Sequence, residues 1–326
     1  MNPIALGELS VRKEIGGYFS LELSTGNEYH KDAIALNNSR AGLQYILQAK
    51  KYRKIYLPHY ICGCVLQPIL AEGVDYEYYS INESFEPLFD KEIAEDECFI
   101  YVNYFGLCQN VVKQVIRNYD NVIIDSTQAF YAPPEKGVDT IYSARKFFGV
   151  PDGGYLYTDT LLDEIFETDV SYQRMEHLLK RIDLSANDGY SSFQENECAL
   201  DNAGIKYMSN LTHALLSGID YDTVSEIRRE NYQYLDSMLG DSNLIELPEL
   251  GKEVPMVYPY LTDDENLRSK LILNKIYVAT YWNDVLPHVG VGSVEEKYTN
   301  NLLALPIDQR YNKEEIKYIY STIINC

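Results

Sequence analysis

An α/β fold, with a mainly parallel sheet of the seven-stranded type covered by helices and a smaller C-terminal α+β domain, is what this sequence predicts. Two observations carry the prediction. Through the first two-thirds of the chain, short runs rich in Val, Ile and Tyr alternate with amphipathic stretches, the alternation that βαβ units require. From about residue 161 the spacing turns helical over long segments, and after residue 240 short apolar runs return among Pro248, Pro255 and Pro259, residues that interrupt regular structure. With 326 residues, 46% hydrophobic and 24% charged, the chain can bury one large core or two moderate ones. The expected division is 1–239, which holds the large sheet and a long connecting helix, and 240–326.

Taken in order, 54–57 (KIYL), 74–79 (VDYEYY), 98–103 (CFIYVN), 121–125 (NVIID), 139–143 (DTIYS) and 154–158 (GYLYT) read as strands, because β-branched and aromatic side chains suit a pleated surface. The amphipathic stretches 40–49, 62–71 and 110–119 read as helices between them. Leu211, Leu215, Ile219, Val224, Ile227 and Leu235 recur at near-helical spacing, which predicts one helix over 208–239 with Gly218 as its only soft point. Beyond it, 244–247, 256–261 and 276–280 read as strands, and 264–273 and 313–324 as helices.

Lysine plus arginine number 28 and aspartate plus glutamate 49, a net charge of −21. That balance argues against nucleic acid, whose phosphates are held by clustered basic residues. No apolar stretch is long enough for a membrane span. The opening MNPIALGELSVRKE has no basic segment followed by an apolar run, so the cytoplasm is the expected location. Cys62 and Cys64 stand close but lack the second pair, or the spaced histidines, that would complete a zinc site. No metal is expected, and the thiols read as small apolar packing groups. Tyrosine is in excess, 30 against 10 Phe and 1 Trp; most of these are expected to turn their hydroxyls toward water or a partner subunit.

Three segments carry candidate chemistry. Val122-Ile-Ile-Asp125 sets a carboxylate at the end of a buried strand, ahead of Ser126, Thr127 and Gln128, although a strand-end Asp also caps ordinary turns. Ile141-Tyr-Ser-Ala-Arg-Lys146 leaves another strand with a lysine just before Gly149, Gly153 and Gly154; taken alone, such a lysine is more often merely solvated. Asn38-Ser39-Arg40-Ala41-Gly42-Leu43 joins a small polar turn to a helix start, where free N–H groups and the positive dipole end suit a phosphate. Ligands of such sheets sit beyond the carboxyl ends of the strands, the side on which Tyr101, Asn103 and Tyr104 also end a strand. Among lone residues, Trp282 reads better as core than as a pocket border, and Arg310 and His288 better as surface groups than as ligands for a substrate anion.

In this order the segments resemble the fold-type I pyridoxal-phosphate enzymes, in particular the DegT/StrS family of sugar aminotransferases. Asp125 with Gln128, then Ser143-Ala-Arg-Lys146, then Gly153-Gly154-Tyr-Leu-Tyr-Thr158 follow that family's strand-end Asp, Ser-x-x-Lys and Gly-Gly. The segment 207–217, the helix through Arg228 and Arg229, and 302–307 are similar to its later parts. The resemblance implies pyridoxal 5'-phosphate as cofactor, with Lys146 forming the Schiff base and serving as acid/base. It implies that Asp125 pairs with the pyridine nitrogen, Gln128 bonds near the ring oxygen, and Ser143, Ser39 and Arg40 hold the phosphate. It further implies transfer of an amino group from an amino acid such as glutamate to a keto-sugar, nucleotide-linked, and a homodimer with 208–239 near the contact.

The chain departs from the family's pattern at definite places. Asn38-Ser39-Arg40 stands where the family has Ser-Gly-Thr, and Cys62 takes the place of the aromatic ring that covers the cofactor. Tyr60 is therefore the expected stacking ring, with His59 the second choice. Gly204-Ile-Lys-Tyr207 replaces a Gly-x-Asn-x-Arg segment through which a neighbouring subunit contacts the phosphate; Lys206 is the candidate substitute, or else a solvated lysine. A pyridoxal-phosphate lyase or dehydratase of the same fold is the enzymatic alternative, and Lys146 speaks against those dehydratases that carry histidine there. A non-catalytic binding scaffold is the alternative from another class.

Overall fold

The large sheet comprises β1 (Ile34–Leu36), β2 (Lys54–Pro58), β3 (Asp75–Ile81), β4 (Pro87–Leu88), β5 (Glu97–Val102), β6 (Val122–Asp125), β7 (Asp139–Ser143) and β8 (Gly154–Tyr157). In the computed structural model, which describes residues 15–201 and 203–325, they are ordered β1-β8-β7-β6-β5-β2-β3-β4. Strand β2 pairs in parallel with β3 and β5, and β6 in parallel with β5 and β7. Strand β8 runs antiparallel to β7 and β1, and β4 antiparallel to β3. The sheet is thus mixed and eight-stranded. The two strands not expected from sequence, β1 and β4, have only 3 and 2 residues.

Connection length decides direction. Helices α1 (Ser39–Lys50), α2 (Leu66–Ala71) and α3 (Gln109–Asn118) are crossovers, whereas β7 and β8 are joined by the short segment 144–153, which turns the chain back antiparallel. Every residue of β5, β6 and β7 is buried, so these strands read as continuous apolar runs rather than alternating ones. The expected helix over 62–71 begins as a tighter turn at Gly63–Val65, and only α2 is α-helical.

The second half supplies α4 (Glu176–Asp183), α5 (Tyr190–Asp201), α6 (Asn210–Ser217) and α7 (Tyr221–Leu239). The single helix expected over 208–239 is two helices. Gly218 closes α6, and the Asp220 carboxylate caps α7, accepting from the Thr223 N–H at 3.1 Å. A small antiparallel sheet pairs β9 (Tyr258–Leu261) with β10 (Leu302–Leu305), among helices α8 (Leu267–Leu273), α9 (Val294–Asn301) and α10 (Lys313–Ile324). Neither 244–247 nor 276–280 is a strand. The Asn243 side chain, accepting from Leu261 N–H at 2.8 Å, takes the ladder position the first would need. In the second, the Ala279 carbonyl accepts from Arg268 at 2.8 Å instead of from a neighbouring strand.

One contiguous apolar core runs from Leu36 to Ile323. It also accounts for much of the tyrosine excess. Tyr60, Tyr101, Tyr104, Tyr142, Tyr155 and Tyr298 are fully buried rather than turned to water. Several donate to backbone carbonyls: Tyr79 to Ile100 at 2.7 Å, Tyr104 to Tyr60 at 2.8 Å, Tyr101 to Phe85 at 2.9 Å and Tyr142 to Ala132 at 2.9 Å. Each of these four rings buries its face and satisfies its hydroxyl on a backbone carbonyl, which a phenylalanine could not do.

Candidate active site

A cavity of about 270 Å³ opens beyond the carboxyl ends of β5, β6 and β7 and brings together Ser39, Arg40, Asp125, Gln128, Ser143 and Lys146. Its floor is the end of β6. Asp125 is the last residue of that strand and is buried; one carboxylate oxygen accepts from the Thr127 N–H at 2.9 Å, which fixes the turn that follows. That turn carries Gln128 back under the cavity. Its Oε1 accepts from the Phe105 N–H at 2.8 Å, while its Nε2 is buried without a partner. A buried amide donor left unpaired costs stability, and this one sits among the cavity's lining residues. Lys146 follows β7 and donates from Nζ to Thr127 Oγ1 at 3.2 Å. Thr127, to which the sequence alone assigns no role, therefore touches both the carboxylate and the amine.

The phosphate-type turn is set by close packing. Asn38 caps α1, its side chain accepting from Ala41 N–H at 2.9 Å, and the first-turn N–H groups of Ser39 and Arg40 have no intrahelical acceptor. Gly153 has φ +119°, a conformation open to glycine, and its N–H reaches the Asn37 carbonyl at 2.7 Å. A Cβ on Gly154 would lie 2.5 Å from the Asn38 carbonyl carbon. The paired glycines thus let β8 lie directly against the turn. Beneath them Asp152, wholly buried, accepts from the Ser209 N–H at 2.9 Å, from Ser209 Oγ at 2.8 Å and from Thr212 Oγ1. Burial raises its pKa against the lowering effect of those donors.

Two guanidinium groups face the same end of the cavity. Arg40 pairs with Asp201 at 2.8 Å and Arg145 with Glu197, both carboxylates lying on α5. Burial lowers the Arg145 pKa to about 10, and the charge of Arg40 pushes in the same direction. Two cations that repel each other at a helix N-terminus, with two lining serine hydroxyls, form an anion-binding set. Lys206 is not part of the lining; it pairs with Glu167 at 3.7 Å.

The wall opposite combines Ile61, Cys62 and Cys64 with Tyr281 and Trp282. Tyr60 corrects an expectation: it is wholly buried behind this wall, packed against Tyr104, Trp282 and Tyr298 with ring centroids 5.2–5.8 Å away, and does not line the cavity. The bend at 59–61, just past the end of β2, turns its ring into the core while Ile61 and Cys62 face the cavity. His59 stacks on Tyr78 instead, at 4.8 Å. Trp282, expected in the core, borders the cavity, and its loop is tied to the wall by Asp284, which accepts from the Gly63 N–H at 2.6 Å. The two sulfurs of Cys62 and Cys64 are 2.8 Å apart. Pairing with Cys64 and the nearby charge of Lys146 outweigh burial and lower the Cys62 pKa to about 7, whereas the Cys64 thiol is pushed up by Cys62 and by burial.

Tyr101 and Tyr104 are core residues and Asn103 is buried holding Gln109, so Val102 alone of that strand end reaches the cavity. Arg310 pairs with Asp308, and His288 stacks on Tyr78. The loop after Lys146 is anchored from afar: the Phe147 carbonyl accepts from Gln309 at 2.8 Å and from Arg228 at 3.4 Å. Arg228 is buried, lies 4.6 Å from the Phe147 ring centroid, and has its pKa lowered to about 10 by burial.

The residues present fit a phosphorylated pyridine aldehyde. Ser39, Arg40, Ser143 and Arg145 offer the phosphate end, Asp125 an acceptor for a protonated ring nitrogen, the unpaired Gln128 Nε2 a donor for a ring oxygen, and Lys146 an amine. Neither a protein-family model nor a curated protein matches the sequence. Solved structures do match the fold. The sugar aminotransferase CalS13 from Micromonospora echinospora superposes with a TM-score of 0.60 at 14% identity, covering 90% of this chain and 87% of that one. A DegT DnrJ EryC1 StrS aminotransferase from Brucella abortus gives 0.59 at 15% identity over 90% and 85% of the two chains. Spr1654 from Streptococcus pneumoniae, in its PLP form, gives 0.59 at 16% identity over 89% and 86%. The chain has the fold of these aminotransferases across nearly its whole length.

Proposed function

We propose that this protein is a pyridoxal-phosphate-dependent aminotransferase that moves an amino group from an amino acid such as glutamate to a nucleotide-linked keto-sugar. The observation that carries the reading is the meeting of Asp125, the unpaired Gln128 Nε2 and Lys146 in one cavity beside the N-terminus of α1. The sugar acceptor is taken from the described activity of the structures sharing the fold. Pyridoxal phosphate, when bound, supplies an electron sink for the carbanion formed at an amino acid's Cα. Asp125, oriented by the Thr127 N–H, holds the proton on the ring nitrogen. Gln128, whose Nε2 is free to donate, would hold the ring oxygen. Lys146 Nζ, steadied by Thr127 Oγ1, takes and returns the proton that transamination moves. Arg40, Arg145 and the hydroxyls of Ser39 and Ser143 hold the phosphate, while Ile61 and Trp282 shield the reacting side from water. In this reading 1–239 binds the cofactor, and 240–326 contributes Tyr281 and Trp282 to the acceptor side.

The apolar side chains Ile165, Val170, Tyr172, Ile182 and Leu184, exposed in the segment between β8 and α5, support a homodimer. Among the described residues no helix is long and apolar enough to cross a membrane; the cytoplasm is the proposed location. The test is borohydride reduction in the presence of pyridoxal phosphate, followed by peptide mass spectrometry. A pyridoxyl group on Lys146, absent from Lys146→Ala, is the expected result, and its absence from the parent protein would overturn the reading. Glutamate should then convert bound cofactor to pyridoxamine phosphate, which a lyase would not accumulate, and a panel of keto-sugars identifies the acceptor.

A further inference from the structure

Cys62 and Cys64 have no place in the mechanism above, yet both line the cavity and are only partly buried. Their sulfurs lie 2.8 Å apart, so a bond of about 2.0 Å between them needs less than ~1 Å of movement. The intervening Gly63 is held by Asp284, which fixes the turn that points both thiols the same way. Of the other described cysteines, Cys98 and Cys108 are buried in the core and Cys198 is exposed without a neighbouring thiol. We propose that Cys62 and Cys64 are a reversible redox modification site opening into the active-site cavity, which a hydroperoxide closes into an intramolecular disulfide.

The two thiols are differentiated for the two steps. Cys62, the more acidic, faces Lys146, with Asp284 as the opposing charge; Cys64 faces Arg40 and Lys146 and keeps its proton. The Cys62 thiolate attacks the peroxide O–O bond, giving a sulfenic acid and releasing hydroxide. The Cys64 sulfur then attacks the Cys62 sulfur, the S–O bond breaks, and hydroxide leaves with the Cys64 proton as water. In total two thiols and one hydrogen peroxide give one disulfide and two waters; the thiols are oxidised by two electrons and the peroxide is reduced. A low-molecular-weight dithiol reverses the step by exchange.

The test treats the reduced full-length protein with hydrogen peroxide, alkylates remaining thiols and digests with trypsin. The peptide 55–91 contains these two cysteines and no other. It should emerge unalkylated and lighter by about 2 Da than its dithiol form, with dithiothreitol restoring both alkylation sites. In Cys64→Ser, dimedone should label Cys62; in Cys62→Ser it should leave Cys64 unlabelled. Full alkylation of Cys62 and Cys64 under conditions that oxidise Cys198 would overturn the proposal, as would dimedone labelling of Cys64 in preference to Cys62. Because the readout is thiol mass, its failure is separate from any failure of pyridoxal phosphate to bind.

Discussion

Replacing Gly154 with alanine tests how the anion end of the cavity is built. The new Cβ would stand 2.5 Å from the Asn38 carbonyl carbon, 2.7 Å from its oxygen and 2.7 Å from the Ser39 nitrogen. All three are backbone atoms, so no rotamer change relieves the contact. Ordinary contact begins at 3.4 Å, and the turn must withdraw by about 0.9 Å. A charge-assisted hydrogen bond from that turn to a phosphate, ~2.8 Å in a good site, would stretch to ~3.7 Å and be lost. One such bond is worth roughly 1.5–3 kcal/mol, so pyridoxal phosphate should bind about 10- to 150-fold more weakly. Pyridoxal lacks the phosphate and should bind parent and variant alike. The assay is equilibrium titration of both compounds, with thermal unfolding followed by circular dichroism to register the ~1–3 kcal/mol cost of overpacking. Unchanged pyridoxal phosphate affinity in a folded Gly154→Ala protein would refute the account of this turn.

Tyr60 is wholly buried with an unpaired hydroxyl; Tyr60→Phe should therefore leave pyridoxal phosphate affinity unchanged and raise stability by up to ~1 kcal/mol in urea unfolding, and a large loss of binding would show that the ring contacts the ligand after all. His30 is buried between Tyr142, Phe130 and Tyr157, with Nε2 donating to the Phe130 carbonyl at 2.7 Å, and burial lowers its pKa to about 4. Below pH 6.5 the unfolded chain takes up a proton that the folded one refuses, so stability falls as the pH drops toward 4. The gap of about 2.5 pH units corresponds to about 3 kcal/mol, a loss that urea unfolding at pH 7 and pH 4 should show in the parent but not in His30→Gln. The buried tyrosines act at the other extreme. Burial raises the pKa of Tyr60, Tyr79, Tyr101 and Tyr104 well above 10; their contribution is complete below pH 10 and is lost as the pH rises beyond it, when the unfolded chain ionises first. Tyrosinate absorbance near 295 nm should therefore lag during a pH rise and then jump with unfolding.

The parts of the site that were legible in the sequence are those made by one strand and the turn after it. Asp125 ends β6 and Lys146 follows β7 by three residues; each alone reads as an ordinary cap or a solvated lysine, and it is their order along the chain, through the resemblance it carries, that marks them. Residues whose position depends on long-range packing were not legible. Trp282 reaches the wall through a tie between Asp284 and Gly63, partners more than two hundred positions apart. Glu197 and Asp201 meet Arg145 and Arg40 only because α5 lies across the cavity mouth. The Tyr60 reading failed for a local reason: β2 ends at Pro58 and the chain bends through 59–61, so the two-residue periodicity of a strand no longer holds there, and Tyr60 turns into the core while Cys62 faces the cavity. Similarly, helical spacing over 208–239 was read correctly on both sides of a break that Gly218 and Asp220 create. Apolar periodicity can continue through a break when both helices pack on one core.

Trp282 is the chain's single tryptophan, and it stands on the cavity wall with the rings of Tyr60 and Tyr281 5.2 and 5.0 Å away. Light absorbed by the clustered tyrosines is therefore passed toward one indole at the mouth of the site. The molecule's emission comes from the place where a ligand would enter, and any compound seated there that absorbs in the near ultraviolet will dim it. Occupancy of this cavity can be read from the unlabelled protein, without a coupled reaction and before any substrate is known.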